Sequence, residues 1–358
     1  MAHAFAKYGV PSTAAMKRAM AMNPEYHNLT KRAGVTGDVV AIPQRNDMQY
    51  LSPVKVGTPP QTLYVGIDTG SADFPQPTSA STTSRLLPNH TWSILYGDRS
   101  SARGIVYRDD VTLGTTLHLP SLPIEHTTHV SPSFTTDPSF SGLLGLGPSH
   151  SNRIRVPPTP LNTTSPSPVL TVLDALLPSL SLPLFTADLR SQSPGTFTFG
   201  YIPRSSYLGS LSYTKLNPPR SPYWQFTVAG WSVGSGRSPS SGSGKPRRAF
   251  TAIADTGTSL ALLPRKVVDD YYSRVPGAAY DARWAGVVFP CGVELPDWSF
   301  LLAEDGYRGV GPGRYMRYGK SSEGIGFGIF GDVVLKAQFV VFDVGGKRVG
   351  FGRKRLMR

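Results

Sequence analysis

Asp-Thr-Gly occurs twice in this chain, each time at the end of an apolar run. The first copy is Val65-Gly66-Ile67-Asp68-Thr69-Gly70-Ser71 and the second, 187 positions on, is Ala252-Ile253-Ala254-Asp255-Thr256-Gly257-Thr258. A hydroxyl residue follows the glycine in both, and apolar sequence resumes soon after. One such triplet is an ordinary surface turn. Two in matching settings predict a chain built from related halves, each delivering an aspartate from a strand into a tight turn.

Further pairs of segments agree with duplication. Gly142-Leu143-Leu144-Gly145-Leu146-Gly147 is a glycine-studded apolar strand, echoed by Gly326-Phe327-Gly328-Ile329-Phe330-Gly331-Asp332. Each half also carries one helical stretch, predicted over Val169 to Leu177 and over Pro264 to Val275. Short strands are predicted around them, among them Val39 to Ile42, Met48 to Leu51, Pro53 to Gly57, Trp92 to Asp98, Ala102 to Leu113, Pro183 to Leu189 and Gly195 to Ile202. Residues 75–91 read as a Pro/Ser/Thr-rich loop, as do 148–168 and 234–248.

A length of 358 residues suits two domains of ordinary size, and 37 Gly and 33 Pro with 16% charged residues favour short strands and turns over long helices. No run approaches the about 18 apolar residues of a membrane-spanning helix. Net charge is +13, but the basic residues are scattered, with clusters only at Lys245, Arg247 and Arg248 and in the tail from Lys347 to Arg358. They form no aromatic-interleaved patch, so solvated loops are expected rather than a nucleic-acid partner. Cys291 is the single cysteine, which excludes an internal disulfide. The seven histidines lack metal-site spacing, so neither a metal nor another cofactor is expected.

Residues 1–32 differ in texture. Ala14 to Met22 is rich in Ala and Met, and the segment carries Lys7, Lys17, Arg18, Lys31 and Arg32 against Glu25 alone. It reads either as a removable basic segment ending in the dibasic pair Lys31-Arg32 or as an ordinary terminus. No apolar signal core lies at its start.

Two halves packed face to face bring equivalent turns to a shared axis. Two carboxylates held close cannot both ionise cheaply, so one proton is shared between them at acidic pH. The ionised member then takes a proton from bound water while the protonated one hydrogen-bonds a substrate carbonyl. Gly70 and Gly257 permit close backbone approach. Ser71 and Thr258, three residues after each Asp, are placed to bond the carboxylates.

On these turns, and on Tyr96-Gly97-Asp98, Gly142 to Leu146, Tyr223-Trp224-Gln225-Phe226, Val288-Phe289-Pro290-Cys291 and Phe330 to Asp343, the chain resembles the pepsin family of aspartic endopeptidases. The likeness covers nearly all of residues 37–353 and is greatest to the fungal aspergillopepsin and penicillopepsin branch. The resemblance implies a mostly β, bilobal fold with a central cleft and a flap. It divides the chain into a partial propeptide (1–32), an N-terminal lobe (33–190) and a C-terminal lobe (191–358). Asp68 and Asp255 become the catalytic dyad, supported by Thr69, Gly70, Ser71, Thr256, Gly257 and Thr258. Tyr96 becomes the flap tip, with Gly97 and Asp98 beside substrate; an acid like Asp98 goes with tolerance for Lys at the cleaved position, which Arg99 could blunt. Lys7 is similar to a propeptide lysine that pairs with the dyad in zymogens. A secreted, monomeric enzyme acting on polypeptides is implied.

Three departures from the family pattern matter. Pro75 stands where the family has a Trp supporting the flap tyrosine. The span from Asp68 to Tyr96 is shorter than usual. Cys291 lacks the downstream cysteine with which its family counterpart pairs, and the region from Arg314 to Ser322 looks shortened. These departures keep a second reading open, a weakly active or inactive binding protein on the same fold.

Overall fold

The computed structural model describes residues 34–73, 81–95, 100–132, 139–155, 169–234, 249–284, 286–302, 307–311, 316–318 and 327–354. The chain opens with β1 (Gly37–Gln44), whose first residues alternate buried and exposed, then β2 (Gln49–Val56) and β3 (Gln61–Asp68). Next come β4 (Arg85–Leu95), β5 (Ser101–Leu113) and β6 (Leu117–Val130), which pair in succession as antiparallel neighbours. Two short strands follow, β7 (Gly142–Gly145) and β8 (Ile154–Arg155), and then helix α1 (Val172–Leu176). Thr171 caps α1 by accepting from the Asp174 amide, while the Asp174 carboxylate accepts from the Thr171 amide. The helix is shorter than the sequence pattern predicts, because Thr171 claims the N-terminal boundary.

Strands β9 (Leu184–Asp188), β10 (Gly195–Phe199) and β11 (Leu208–Lys215) lead into the second half. There, β12 (Gln225–Val233), β13 (Phe250–Ala254), β14 (Ala261–Leu263) and helix α2 (Arg265–Tyr272) are followed by the small hairpin β15 (Ala279–Asp281) and β16 (Gly286–Val288). The chain continues through β17 (Trp298–Leu302), β18 (Arg308–Gly311), β19 (Met316–Tyr318), β20 (Gly328–Phe330) and α3 (Asp332–Leu335), and ends on β21 (Gln338–Asp343) and β22 (Arg348–Arg353).

The architecture is mostly β and two-lobed. The first half builds its sheet from β1 to β8, and the second from β12, β13, β14, β17, β18, β19 and β20. Between them runs the order β11-β22-β21-β9-β10-β1, a platform to which both halves contribute. The turn between β9 and β10 holds the sequence boundary at 190, so that boundary falls inside the shared sheet. In both halves the strand that leads to Asp-Thr-Gly lies parallel to the glycine-bracketed strand: β3 beside β7, with Asp68 opposite Gly145, and β13 beside β20, with Ala254 opposite Phe330.

Two segments depart from the loop readings, Ile154–Arg155 within 148–168, which pair with β4 as β8, and a longer one earlier in the first lobe. Residues 85–91, expected in a loop, belong to β4. The register against β5 shifts between Leu86 and Thr91, with Asn89 at φ 62°, so a bulge carries Pro88 through a paired strand. Proline and polar residues masked the strand in the sequence.

A single apolar cluster joins the lobes and the platform. At its centre Phe185 stacks on Phe342 with ring centroids 4.6 Å apart, and Trp224 packs edge-on against Phe342 at 5.2 Å. The Trp224 indole donates to the Leu146 carbonyl at 2.9 Å, fastening the second half to the first. Beneath this lies a buried ion pair, Lys354 Nζ to Asp188 Oδ1 at 2.9 Å, with Arg190 also on Asp188 at 3.0 Å. Burial opposes ionisation of Asp188, but Lys354 and Arg190 outweigh it and hold the carboxyl below its ordinary range. Burial pushes Lys354 down to about 8, with Asp188 opposing the shift. Removing one partner of such a pair leaves the other charged and desolvated. Lys354→Ala is therefore expected to lower unfolding stability by about 3 kcal/mol in urea titrations.

Candidate active site

Strand β3 ends at Asp68 and β13 ends one residue before Asp255, so each aspartate stands where its strand turns. The turns meet across the interface between the lobes. The Thr69 amide donates to Thr256 Oγ1 at 3.2 Å and the Thr256 amide to Thr69 Oγ1 at 3.0 Å. Each hydroxyl then donates to the opposite strand, Thr69 Oγ1 to the Ala254 carbonyl at 2.9 Å and Thr256 Oγ1 to the Ile67 carbonyl at 2.6 Å. This reciprocal bonding satisfies buried groups on both turns and fixes one turn against the other.

The carboxyls are held in the same symmetric way. Asp68 Oδ1 accepts from the Gly70 amide at 2.7 Å and Oδ2 from the Ser71 hydroxyl at 2.5 Å. Asp255 Oδ1 accepts from the Gly257 amide at 2.9 Å and Oδ2 from Thr258 Oγ1 at 2.7 Å. A Cβ on Gly70 would lie 2.6 Å from Asp255 Oδ1, and one on Gly257 would collide with Asp68. Each glycine is thus the floor on which the other lobe's carboxyl rests. The two aspartates are 6% and 7% exposed, buried enough for their charges to interact strongly. Burial first, and then the charge of Asp68, pushes Asp255 up to about 7.

The segments behind the turns are bonded to them. The Leu146 and Gly147 amides donate to the Asp68 and Ser71 carbonyls at 2.7 and 2.6 Å. On the other side the Asp332 amide donates to the Thr258 carbonyl at 2.7 Å. The glycine-bracketed strands therefore clamp both turns from below.

Three buried carboxyls nearby were given no role by the sequence reading. Asp332 is 1% exposed and its carboxyl is pushed well up by burial and by the charge of Asp255. Asp73 is 2% exposed and raised by burial, although the Arg153 amide donates to its Oδ1 at 2.8 Å and Glu125, itself 1% exposed, hydrogen-bonds its side chain. Asp332 gives a sequence signal, since it opens the apolar run Val333-Val334-Leu335, whereas Glu125 falls on the polar phase beside Leu122 and Ile124 and is buried only because β6 is covered on both faces there.

The other expected site residues lie outside the described residues: Tyr96, Gly97 and Asp98, the flap candidates, and Lys7, Lys31 and Arg32 in the N-terminal segment. Pro75 also lies outside them. Cys291 is exposed and unpaired with any other cysteine.

The chain matches the family model described as eukaryotic aspartyl protease over residues 49–354. Among curated proteins it is 40% identical over 348 residues to aspergillopepsin-1 of Aspergillus fumigatus, covering 90% of this chain and 82% of that protein. It is 39% identical over 337 residues to penicillopepsin-1 of Talaromyces stipitatus, covering 88% and 81%. With podosporapepsin of Podospora anserina it shares 38% identity over 387 residues, covering 98% and 86%. A solved aspartic proteinase of Irpex lacteus shares the fold, with a TM-score of 0.70 at 22% identity over 90% of this chain and 98% of that one.

The raised carboxyls set a pH dependence of stability. An acid whose folded pKa exceeds its unfolded value binds more protons folded than unfolded, so it costs stability as pH climbs above the unfolded value. Asp255, Asp73 and Asp332 all act this way. Asp47 and Asp188 are lowered, so their contribution is lost as pH falls through their folded values. Thermal melts should therefore show greatest stability near pH about 4 and a decline toward neutrality, with Asp255 alone costing on the order of 4 kcal/mol by pH 7. Asp332→Asn should make that decline shallower.

Proposed function

The chain belongs to the eukaryotic aspartyl proteases and is an aspartic endopeptidase acting on polypeptides; from that premise we propose that Asp68 and Asp255 perform the hydrolysis. The observation that carries this reading is the pairing of the two carboxyls, each on the other turn's glycine and each held by its own amide and hydroxyl. Asp255, which holds its proton toward neutrality, donates a hydrogen bond to the scissile carbonyl. Asp68 accepts a proton from the water that attacks the carbonyl carbon. As the tetrahedral intermediate collapses, a carboxyl returns a proton to the leaving amine, and the pair regains its single shared proton. The completeness of both hydrogen-bond sets favours catalysis over a binding role for the same fold.

Tyr96, Gly97 and Asp98 are proposed to close over bound peptide, since β4 and β5 are the strands that lead into and out of that segment. Residues 1–32 are proposed to act as a propeptide segment, with Lys7 pairing with the dyad until release after Lys31-Arg32. The same reading makes the enzyme a secreted monomer; the exposed Asn89 in Asn89-His90-Thr91 is an acceptor that glycosylation along such a route could use.

Hydrolysis of a denatured protein near pH 4, blocked by a statine-type inhibitor, tests the dyad. Asp68→Asn and Asp255→Asn are each expected to lower kcat by about 10³-fold or more while leaving the melting profile that of a folded protein. Full activity in either variant overturns the assignment. Acidification of the full chain should yield a product whose first residue follows Arg32, read by N-terminal sequencing; a stable, active chain beginning at Met1 overturns the propeptide reading.

A further inference from the structure

Strand β8 is two residues long, yet it is anchored twice over. Arg155 pairs with Thr91 and Ile154 with Trp92 of β4, and the Arg153 amide just before β8 donates to Asp73 Oδ1 at 2.8 Å. Asp73 is five residues from Asp68 on the same turn, and the chain leading to β8 is bonded to that turn at Leu146 and Gly147. A cavity of about 540 Å³ is bordered here by Ser93, Ile94 and Leu95 of β4 and by Asn152, Arg153, Ile154 and Arg155. It lies on the first lobe, beside β4, the strand that leads toward Tyr96.

The two-residue period of strands sorts these side chains. Trp92 is buried and Ile94 and Ile154 pack with it in one small apolar cluster. Ser93, Leu95, Arg153 and Arg155 are exposed on the opposite face. Both formal charges on the cavity wall are therefore guanidinium groups, and among the described residues neither forms an ion pair. The one acid bonded to this segment, Asp73, is buried and takes the Arg153 amide rather than its guanidinium, and burial pushes its carboxyl up.

We propose that this cavity is a subsite for an acidic side chain of the polypeptide substrate, a Glu or Asp carboxylate received by Arg153 and Arg155. The inference rests on the endopeptidase reading for its substrate and adds a charge preference to it. Guanidinium groups suit carboxylates because their planar N–H array matches two oxygens. Leu95, exposed on the same face, offers apolar contact to the methylenes of the same side chain. An ionised substrate carboxylate is required, so the preference should grow as pH rises through about 4.3, the ordinary value for Glu, and shrink with added salt.

The test uses a positional set of quenched fluorescent peptides in which one residue at a time is Glu or its neutral counterpart Gln. At pH about 5, cleavage by the wild-type enzyme is expected to favour Glu over Gln about fivefold in kcat/KM at one position, the scale of a partly exposed ion pair. Arg153→Ser with Arg155→Ser should abolish that preference and leave the Gln peptides' kcat/KM within about twofold, whereas Arg→Lys at both positions should keep part of it. The same peptides with the scissile bond reduced, followed by fluorescence polarisation, read the subsite without turnover. Equal rates and equal binding for Glu and Gln at every position, or a preference that survives the double serine variant, overturns the proposal. Failure to cleave any peptide while Glu still binds more tightly counts against the catalytic reading and for the subsite.

Discussion

The interaction on which the rest of this molecule depends is the exchange of hydrogen bonds between Thr69 and Thr256. Each threonine gives its amide to the other's hydroxyl, and each hydroxyl passes its own proton to a carbonyl of the opposite strand. The four groups are buried, so leaving one of them without a partner costs about 1–3 kcal/mol, and separating the turns leaves all of them without partners. The bonding thus makes one approach of the lobes far better than any other. That approach also sets each aspartate over the other turn's glycine, where a Cβ would not fit. Lobe docking and carboxyl pairing are one geometric event.

The chemistry inherits its acidity from the same packing. Asp255 is raised because the core that closes beneath the turns removes water and because Asp68 lies beside it. Asp332 and Asp73 are raised for the first of these reasons and sit against the same two turns. Keeping such groups inside is expensive once they ionise, so the fold accommodates them only while they hold protons. Stability and the protonation needed for hydrolysis therefore decline together as pH rises, through residues in contact rather than through a separate switch.

Much of this was legible in the residues. The two Asp-Thr-Gly turns, their hydroxyl partners Ser71 and Thr258, and the glycine-bracketed partner strands could be found because each is a local pattern with a local reason. The β character followed from abundant Gly and Pro and from period-two runs. What the sequence hid was long-range. Nothing near Lys354 announces that it ends beside Asp188, and nothing near Trp224 announces that its indole reaches Leu146. In residues 85–91 Pro88 and its polar neighbours suppress the strand signal, while the partners that make them a strand lie on β5. Glu125 falls on the polar phase of β6, so the sequence does not announce that it ends buried against Asp73.

That last contact links the catalytic turn to the outer wall of the first lobe. Asp73 leaves the Asp68 turn, its carbonyl accepts from the Gly145 amide at 2.8 Å, and its carboxyl accepts from the Arg153 amide. One residue thereby fixes both the strand that clamps the turn from below and the start of the segment, Arg153 to Arg155, that carries two arginines. Because the positioning of the turn and of the basic wall share this anchor, a change at Asp73 cannot alter one alone. Arg153 and Arg155, by contrast, project their side chains outward from a backbone already held by β4. Their charge can therefore vary without disturbing the aspartates, which is the separation of duties a specificity pocket requires of an otherwise fixed catalytic core.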